Sequence, residues 1–171
     1  MSEIALPKID RSIVSNKSQI VKKLSSLTNP ENVLSEADEL RPYETDALSV
    51  YTQTPLAVVL PENTKEVSEI LKYCNEENIK VVPRGAGTGL SGGALPLQDA
   101  ILLGLGKFNK ILEIDYENKC VITQPGVTNL GITHAVEHKG FYYAPDPSSQ
   151  LACSIGGNVA ENSGGVHSLK Y

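Results

Sequence analysis

Apolar positions are sparse over residues 1–54 and recur there at helical spacing. The spacing predicts an amphipathic helix over about 9–25, with an apolar face made of Ile9, Ile13, Ile20, Val21 and Leu24. Beyond this helix the pattern becomes irregular through Asn29-Pro30 and Arg41-Pro42-Tyr43. We therefore interpret residues 1–54 as an N-terminal helical extension and residues 55–171 as the domain that follows it.

The next three segments predict a strand, a helix and a second strand. Residues 57–60 form a short apolar run typical of a buried strand. Thr64 is a suitable N-cap for a helix over about 65–77, whose apolar positions follow the i, i+3, i+4, i+7 pattern at Val67, Ile70, Leu71 and Cys74. Residues 79–82 form the second strand, which we expect Pro83 to end. Together these segments predict a βαβ unit.

Further strands follow this unit. Residues 100–103 are a continuous apolar run, as expected of a buried strand. Residues 110–115 and 119–124 alternate in hydrophobicity and are joined by a short polar connection, which predicts a β-hairpin.

A second helix is predicted over about 129–138. Thr128 is a suitable N-cap, and Gly140 lies where a C-terminal glycine is common. The fold class that follows from all these elements is α+β.

The composition is that of a globular domain with an acidic balance. The chain has 171 residues, of which 40% are hydrophobic, so a core of ordinary size is expected. The formal net charge is −5, and no run of basic residues is visible. Binding to nucleic acid requires clustered Lys and Arg against the phosphates, so we expect no nucleic-acid partner.

The sequence contains no sign of a membrane or an oxidising compartment. No stretch approaches the roughly 20 apolar residues that span a bilayer, and the start at Met1-Ser2-Glu3-Ile4 does not resemble a signal peptide. The wide spacings of Cys74, Cys120 and Cys153 fit neither a disulfide framework nor a zinc ligand set. We expect a cytoplasmic protein with no membrane span and no metal site.

The candidate chemistry begins in residues 83–93, where five of eleven residues are glycine directly after a predicted strand. Glycine allows positive φ and a close approach of the backbone to a ligand, and successive N–H groups in such a loop form a concave anion site. Thr88 and Ser91 add hydroxyl donors. Arg84 adds a positive charge that could face either an anion or a neighbouring carboxylate. The segment is suited to a pyrophosphate.

Two familiar nucleotide motifs fit this segment poorly. The spacing Gly87-x-Gly89-x-x-Gly92 matches the Rossmann fingerprint, which requires a helix at its last glycine. Pro96 would interrupt such a helix almost at once. A phosphate-binding P-loop fails as well, because no Lys follows Gly92 or Gly93.

A second segment, residues 145–165, is rich in Pro, Gly, Ser and Asn. It offers backbone donors and short polar side chains. Alone it is typical of a generic loop, but together with residues 83–93 it suggests one extended ligand held from two sides.

Three motifs in this order resemble the FAD-linked oxidase family of vanillyl-alcohol oxidase type. They are PRGAGTGLSGG at 83–93, PDPSS at 145–149 and IGGNVAENSGG at 155–165. The similarity is to the branch of the glycolate oxidase FAD-binding subunit and the D-lactate and D-2-hydroxyglutarate dehydrogenases, and it extends from about Arg41 to the end. It implies an FAD-binding domain that is incomplete at its C-terminus.

The resemblance also implies which residues bind FAD. Those around the pyrophosphate would be Pro83, Arg84, Gly85, Ala86, Gly87, Thr88, Gly89 and Leu90. Those along the rest of the cofactor would be Pro145, Asp146, Ser148, Ser149, Cys153, Ser154, Gly156, Gly157, Asn158, Glu161, Asn162, Ser163 and Gly164. Loop amides and helix N-termini favour a diphosphate.

The reaction implied is hydride transfer from a small 2-hydroxy acid to flavin N5, chemistry that the cofactor supplies. Family members with covalent FAD carry a His after Arg-Gly-x-Gly, whereas Thr88 stands at that position here. We therefore expect FAD to be held non-covalently. Members also continue for several hundred residues, so the catalytic residues are unknown, this chain alone is expected to be inactive, and other oxidase subunits are candidate partners.

Two alternatives stay open at this point. One is a truncated FAD-binding module without turnover, and the other, less favoured, is an NAD-dependent Rossmann enzyme.

His134 and His138 match an H-x-x-E-H zinc pattern, but no third ligand is evident, so we interpret them as a solvated helix end. Cys153 is expected to contact flavin through its backbone rather than its thiol, and His167 is expected to have a surface or loop role.

Overall fold

The computed structural model describes residues 7–170. The start of the chain, for which we predict no signal peptide, lies outside the described residues, as does Tyr171.

Two short helices take the place of the single N-terminal helix predicted over 9–25. Helix α1 spans Arg11–Ser15 and helix α2 spans Lys17–Leu24. They are separated at Asn16, whose φ of −94° and ψ of 9° depart from helical geometry. The predicted apolar face is still used, because Ile20 and Leu24 are fully buried.

The segment after α2 adds several short elements. In chain order these are a 3₁₀ turn at Pro30–Asn32, strand β1 at Val33–Leu34, helix α3 at Ala37–Leu40 and a 3₁₀ turn at Arg41–Tyr43. None of them was predicted from hydrophobic periodicity, since each is shorter than the window in which a period is visible.

The main sheet has four strands in the order β1-β2-β4-β3. Its other strands are β2 at Ala57–Val59, β3 at Lys80–Arg84 and β4 at Ala100–Gly104. Both β2 and β3 run parallel to β4, whereas β1 is antiparallel to β2. Helix α4, Thr64–Glu76, connects β2 to β3. The βαβ unit is therefore present, with β4 inserted between its two strands.

Two local predictions in this unit were wrong. The N-cap of α4 is Asn63, whose side chain accepts a hydrogen bond from the Glu66 amide at 3.0 Å, and Thr64 is the first helical residue. Pro83 does not end β3 but lies within it, opposite Leu103. A proline is tolerated there because β3 is an edge strand, so the missing N–H costs no bond on the open side.

The predicted hairpin and the helix after it are both present in the second half of the chain, whereas the helix over Ile155–Glu161 was not predicted. Strands β5, Ile111–Asp115, and β6, Cys120–Thr123, form the expected antiparallel hairpin. Helix α5 spans Asn129–Val136, with its Thr128 cap as predicted, and continues in a 3₁₀ turn to Gly140 at φ +79°. The last elements are α6, Ile155–Glu161, and a 3₁₀ turn at Val166–Leu169.

The sheet is buried on both faces. On one face Ala57, Val59, Ile101 and Leu103 pack with α2 and α4 in the larger core cluster. On the other face Val58 and Leu102 pack with Leu40 of α3. This two-sided burial explains why β2 and β4 are continuous apolar runs rather than alternating ones. The predicted α+β class is confirmed.

Among residues 7–170, no helix is both long and apolar enough to span a membrane.

Candidate functional site

A cavity of about 370 Å³ lies where β3 ends, between the glycine-rich loop (residues 85–93) and the region around α6. Strand β3 directs the chain into this loop, and α6 presents its first turns to it. The structure brings most of the predicted site residues together as lining of this cavity, namely Pro83, Arg84, Gly85, Ala86, Gly87, Thr88, Gly89, Ser149, Cys153, Ser154, Gly156, Gly157, Asn158, Glu161 and Ser163.

The remaining predicted residues do not line the cavity, and their contact with a cofactor stays a prediction. They are Leu90, Pro145, Asp146, Ser148, Asn162 and Gly164. The lining also includes residues that were not predicted, namely Gly93, Ala94, Leu105, Pro125 and Ala160. Leu105 had a usable signal, since it directly follows β4 and ligands gather at the carboxyl ends of parallel strands.

The two glycine-rich segments approach each other closely inside the cavity. A Cβ added to Gly85 would lie 2.3 Å from Ser154 Oγ, a distance that no side chain tolerates. A Cβ added to Gly156 would lie 2.7 Å from Pro125 Cβ, and the Gly156 amide donates to the Pro125 carbonyl at 2.8 Å. Gly156 is held close to the Pro125 backbone, whereas a side chain at residue 85 would require the Ser154 hydroxyl to rotate away.

Backbone hydrogen bonds fix the beginning of α6 against the start of α5. The Ile155 amide donates to the Val127 carbonyl at 2.8 Å, and the Asn129 amide donates to the Cys153 carbonyl at 3.1 Å. The polar residues of this cavity wall are therefore held by bonds that form only in the tertiary structure.

Two buried polar atoms of the cavity wall have no hydrogen-bond partner among the described residues. They are Ser154 Oγ and Asn158 Nδ2, on side chains that are about nine-tenths buried or more. Buried polar groups in proteins are almost always paired, so each of these atoms is available to a ligand. A cofactor rich in hydroxyl, carbonyl and phosphate oxygens would satisfy both, and in this respect FAD fits the residues present.

The hydrogen bond of Arg84 goes to a backbone carbonyl, although the Asp46 carboxylate is near enough to act on its charge. Its Nη1 donates a hydrogen bond to the Thr45 carbonyl at 2.7 Å, and its guanidinium lies over the Tyr43 ring at 5.8 Å. Burial lowers the pKa of the Arg84 guanidinium, an effect that the nearby Asp46 carboxylate opposes. The residues of this environment lie far upstream of the glycine-rich loop, so sequence proximity did not reveal them.

Glu161 places a carboxylate at the edge of the glycine-rich loop. A Cβ added to Gly89 would lie 2.9 Å from Glu161 Oε1. The side chain is exposed, so this negative charge is solvated rather than buried.

Asp146 forms a separate cluster with the C-terminal turn. Its Oδ1 lies 3.1 Å from His167 Nδ1 and also accepts from the His167 amide at 3.3 Å, and its own amide donates to the Gly164 carbonyl at 3.2 Å. Burial acts to raise the pKa of the Asp146 carboxyl, but the contacts with His167 outweigh it and lower that pKa overall. His167 thus holds a loop closed, in line with the loop role expected for it.

His134 and His138 lie at the end of α5 and in the turn that follows it. The His138 ring packs edge-to-face against the Tyr116 ring, with 6.4 Å between the two ring centroids. Among residues 7–170, no group of three or more His, Cys, Asp or Glu side chains is arranged to hold a metal ion.

The parallel sheet, the glycine-rich loop after β3 and the facing α6 region together define an FAD-binding domain of vanillyl-alcohol oxidase type. Residues 55–171 match the family described as FAD binding domain, and the chain belongs to that family. No helix opens between β3 and β4, so the structural context that a Rossmann fingerprint requires is missing, and the NAD alternative is set aside.

The curated proteins most similar to the chain include two glycolate oxidase subunits. Glycolate oxidase subunit GlcD of Escherichia coli K12 is 50% identical over 167 residues, covering 98% of this chain and 32% of that protein. The subunit of the same name from Bacillus subtilis strain 168 is 44% identical over 152 residues, covering 89% and 32%. D-lactate dehydrogenase of Anaerostipes hadrus is 36% identical over 154 residues, covering 90% and 32%. The chain thus spans about a third of the length of these relatives.

Solved structures of other enzymes share the fold. An alkyldihydroxyacetonephosphate synthase superimposes with a TM-score of 0.80 at 20% identity, covering 99% of this chain and 32% of that one. p-Cresol methylhydroxylase with substrate bound superimposes with a TM-score of 0.72 at 27% identity, covering 85% and 29%.

Proposed function

We propose that this chain is the FAD-binding portion of a flavin-dependent 2-hydroxy-acid oxidase or dehydrogenase. The glycolate oxidase subunits and the D-lactate dehydrogenase named above support this. The observation that carries the proposal is the cavity between the two glycine-rich segments, in whose wall Ser154 Oγ and Asn158 Nδ2 have no partner among residues 7–170.

The residues assigned to FAD follow from what lines this cavity. Backbone amides of residues 85–89 are suited to the pyrophosphate, because a glycine-rich loop presents N–H groups to an anion without side-chain obstruction. Ser154 and Asn158 are suited to the hydroxyl or carbonyl oxygens of the cofactor. The exposed Glu161 carboxylate would repel a phosphate, so we assign it to a hydroxyl group.

When bound, FAD would supply the hydride acceptor for oxidation of the 2-hydroxy acid to a 2-oxo acid. The contribution of this chain is to bind the cofactor and fix its orientation. We place the groups that bind the substrate, a small 2-hydroxy acid, in the part of the relatives that this chain does not match.

FAD is proposed to be held without a covalent bond. Thr88 stands where family members with covalently bound FAD carry a His. A threonine offers no imidazole nitrogen that could bond to the flavin. Acid precipitation of the loaded protein is expected to release all flavin into the supernatant. Flavin fluorescence that stays with the polypeptide on a denaturing gel would contradict this.

Titration of the 171-residue chain with FAD, followed by flavin fluorescence, tests the proposal directly. We expect saturable binding that NAD does not displace. No detectable affinity for FAD, or displacement by NAD, would overturn the proposal.

Addition of glycolate or D-lactate under anaerobic conditions separates an enzyme from an inactive module. Reduction of the bound flavin would show that this chain contains a complete catalytic site. Bound FAD that stays oxidised would support the truncated binding module for the isolated chain, while leaving the parent protein an oxidoreductase.

Three finer assignments belong to the same proposal. Residues 55–171 are taken as the first part of the FAD-binding domain and residues 1–54 as an N-terminal extension. A cytoplasmic location is supported by Cys74, Cys120 and Cys153, which are all free thiols, and cell fractionation tests it. Other oxidase subunits are proposed as partners, and co-purification from the native source tests that assignment.

A further inference from the structure

A short segment upstream of the family match lies against the glycine-rich loop at two points and bonds Arg84, the residue just before the loop, at a third. We call residues 43–48 the clasp. The Thr45 carbonyl accepts the hydrogen bond from Arg84 Nη1 at 2.7 Å, and the Ala47 amide donates to the Gly87 carbonyl at 2.9 Å. Leu48 lies beneath the far end of the loop, with its Cδ2 3.6 Å from the position of a Cβ on Gly92.

Arg84 connects the clasp to the loop. Its guanidinium lies over Tyr43 of the clasp on one side and against Gly87 on the other, where an added Cβ would come within 2.3 Å of Nη2. Gly87 itself has a φ of +72°, which favours glycine independently. The side chain therefore packs between two segments that are distant in sequence.

The clasp has its own internal order. Asp46 is buried, and its Oδ1 accepts a hydrogen bond from the Leu48 amide at 2.9 Å. Thr45 Oγ1 donates to the Tyr51 carbonyl at 3.0 Å. A segment with these bonds is able to impose a conformation on a neighbouring loop.

We propose that the clasp holds the glycine-rich loop in its cofactor-binding conformation, and that Arg84 is the positioning residue through which it acts rather than a direct ligand of the FAD phosphates. This inference rests on the proposed function. A loop with five glycines is costly to order when a ligand binds. Ordering it beforehand through the clasp reduces that cost and raises affinity.

Backbone hydrogen–deuterium exchange of the 171-residue chain without FAD tests the clasp itself. We expect the Ala47 amide, which donates to the Gly87 carbonyl, to exchange about tenfold faster in Arg84→Gln than in the wild type, because local opening of the contact between clasp and loop becomes easier. Arg84→Lys is expected to behave similarly, since an ammonium group cannot both bond Thr45 and lie flat on Tyr43. Arg41→Gln, at an exposed arginine just before the clasp, is the matched control and is expected to exchange like the wild type.

The amides of β4 report in the same experiment whether the domain is still folded. If Arg84→Gln loses their protection, Tyr43→Leu is measured instead, because it removes only the ring beneath the guanidinium. Unchanged exchange of the Ala47 amide in whichever variant keeps β4 protected would overturn the proposal.

Titration with FAD at several salt concentrations separates positioning from direct charge contact. If Arg84 acts by positioning the loop, Arg84→Gln, Arg84→Lys and Tyr43→Leu should each raise the FAD Kd about tenfold. The effects of Tyr43→Leu and Arg84→Gln should then be less than additive in the double variant. The salt dependence of the Kd would then match the wild type. A direct phosphate contact predicts instead that Lys retains affinity and that Gln flattens the salt dependence, which would overturn the assignment of Arg84.

The proposed function and the further inference can fail independently, and the experiments show which of the two has failed. A wild-type chain that does not bind FAD contradicts the proposed function, while the exchange experiment still decides whether the clasp orders the loop. A wild-type chain that binds FAD, together with variants that bind it equally well, contradicts only the further inference.

Discussion

The α-carbon of Gly85 lies so close to the side chain of Ser154 that a Cβ at residue 85 would be 2.3 Å from Ser154 Oγ. The two residues belong to different glycine-rich segments, and their contact joins the end of β3 to the beginning of α6. Both residues line the cavity between the two glycine-rich segments, and Ser154 Oγ is buried there without a hydrogen-bond partner among the described residues.

Gly85→Ala is expected to destabilise the protein by about 1 kcal/mol, the low end of the cost of overpacking because the Ser154 hydroxyl can rotate away, and to weaken FAD binding by displacing that hydroxyl. Denaturant unfolding and FAD titration measure the two effects. Gly106→Ala is the matched control, because nothing lies within 4 Å of a Cβ there. Combining Gly85→Ala with Ser154→Ala should restore stability, since the next nearest Ser154 atom, Cβ, is 3.6 Å away. No recovery in the double variant would show that the clash is not the cause.

Ser154→Ala alone is expected to separate stability from function. The protein without FAD should be as stable as the wild type or slightly more so, because a buried hydroxyl with no partner is removed. FAD affinity should fall by about 0.5–1.5 kcal/mol, the net value of one hydrogen bond. Ser49→Ala, at an exposed serine, serves as the control and should change neither quantity. Equal loss of stability and affinity in Ser154→Ala would indicate a purely structural role.

The three thiols are expected to react at very different rates with a thiol reagent at neutral pH. Cys120 is exposed and should be modified at once. Burial raises the pKa of the Cys74 thiol to about 11, so it is neither accessible nor ionised until the protein unfolds. Cys153 is buried in the cavity wall and should react slowly, and more slowly still with FAD bound. Mass spectrometry of time points identifies each site, and rapid labelling of Cys74 in the folded protein would contradict the core that we describe.

Asp99 should make stability depend on pH in the acidic range. Burial acts to raise the pKa of its carboxyl, but the Asp10 amide at 2.7 Å and the Lys80 ammonium at 2.6 Å outweigh it, so the pKa is lowered from 3.8. A depressed folded-state pKa stabilises the protein above the unfolded value, and this contribution is lost as pH falls from about 3.8 through the lower folded value.

Unfolding experiments between neutral and acidic pH measure this dependence. Asp99→Asn should be less stable than the wild type at neutral pH, and the difference should shrink as the pH falls. Asp38→Asn, at an exposed aspartate of α3, is the control. A difference between Asp99→Asn and the wild type that does not change with pH would show that the charge of Asp99 contributes nothing.

The elements predicted correctly from the sequence are those whose signals are local. The β5–β6 hairpin has alternating residues around a short polar turn, and the Thr128 cap and Gly140 end lie within a few residues of the helix that they bound. The position of β4 between β2 and β3 has no local signal, because strand order depends on which apolar faces meet after the chain has folded back. Pro83 was misplaced for the same reason, since its tolerance depends on β3 being an edge strand.

The candidate site shows the same division. The sequence by itself determined that two glycine-rich segments exist, that their type matches an FAD-binding family, and that no His stands at the position of covalent attachment. Only the tertiary structure decided that Gly85 meets Ser154, that Arg84 turns to Thr45 and Tyr43, and that Asp146 bonds His167 outside the cavity. The physical reason is that composition and local spacing constrain backbone conformation, whereas the partner of a side chain is set by contacts between segments far apart in the chain.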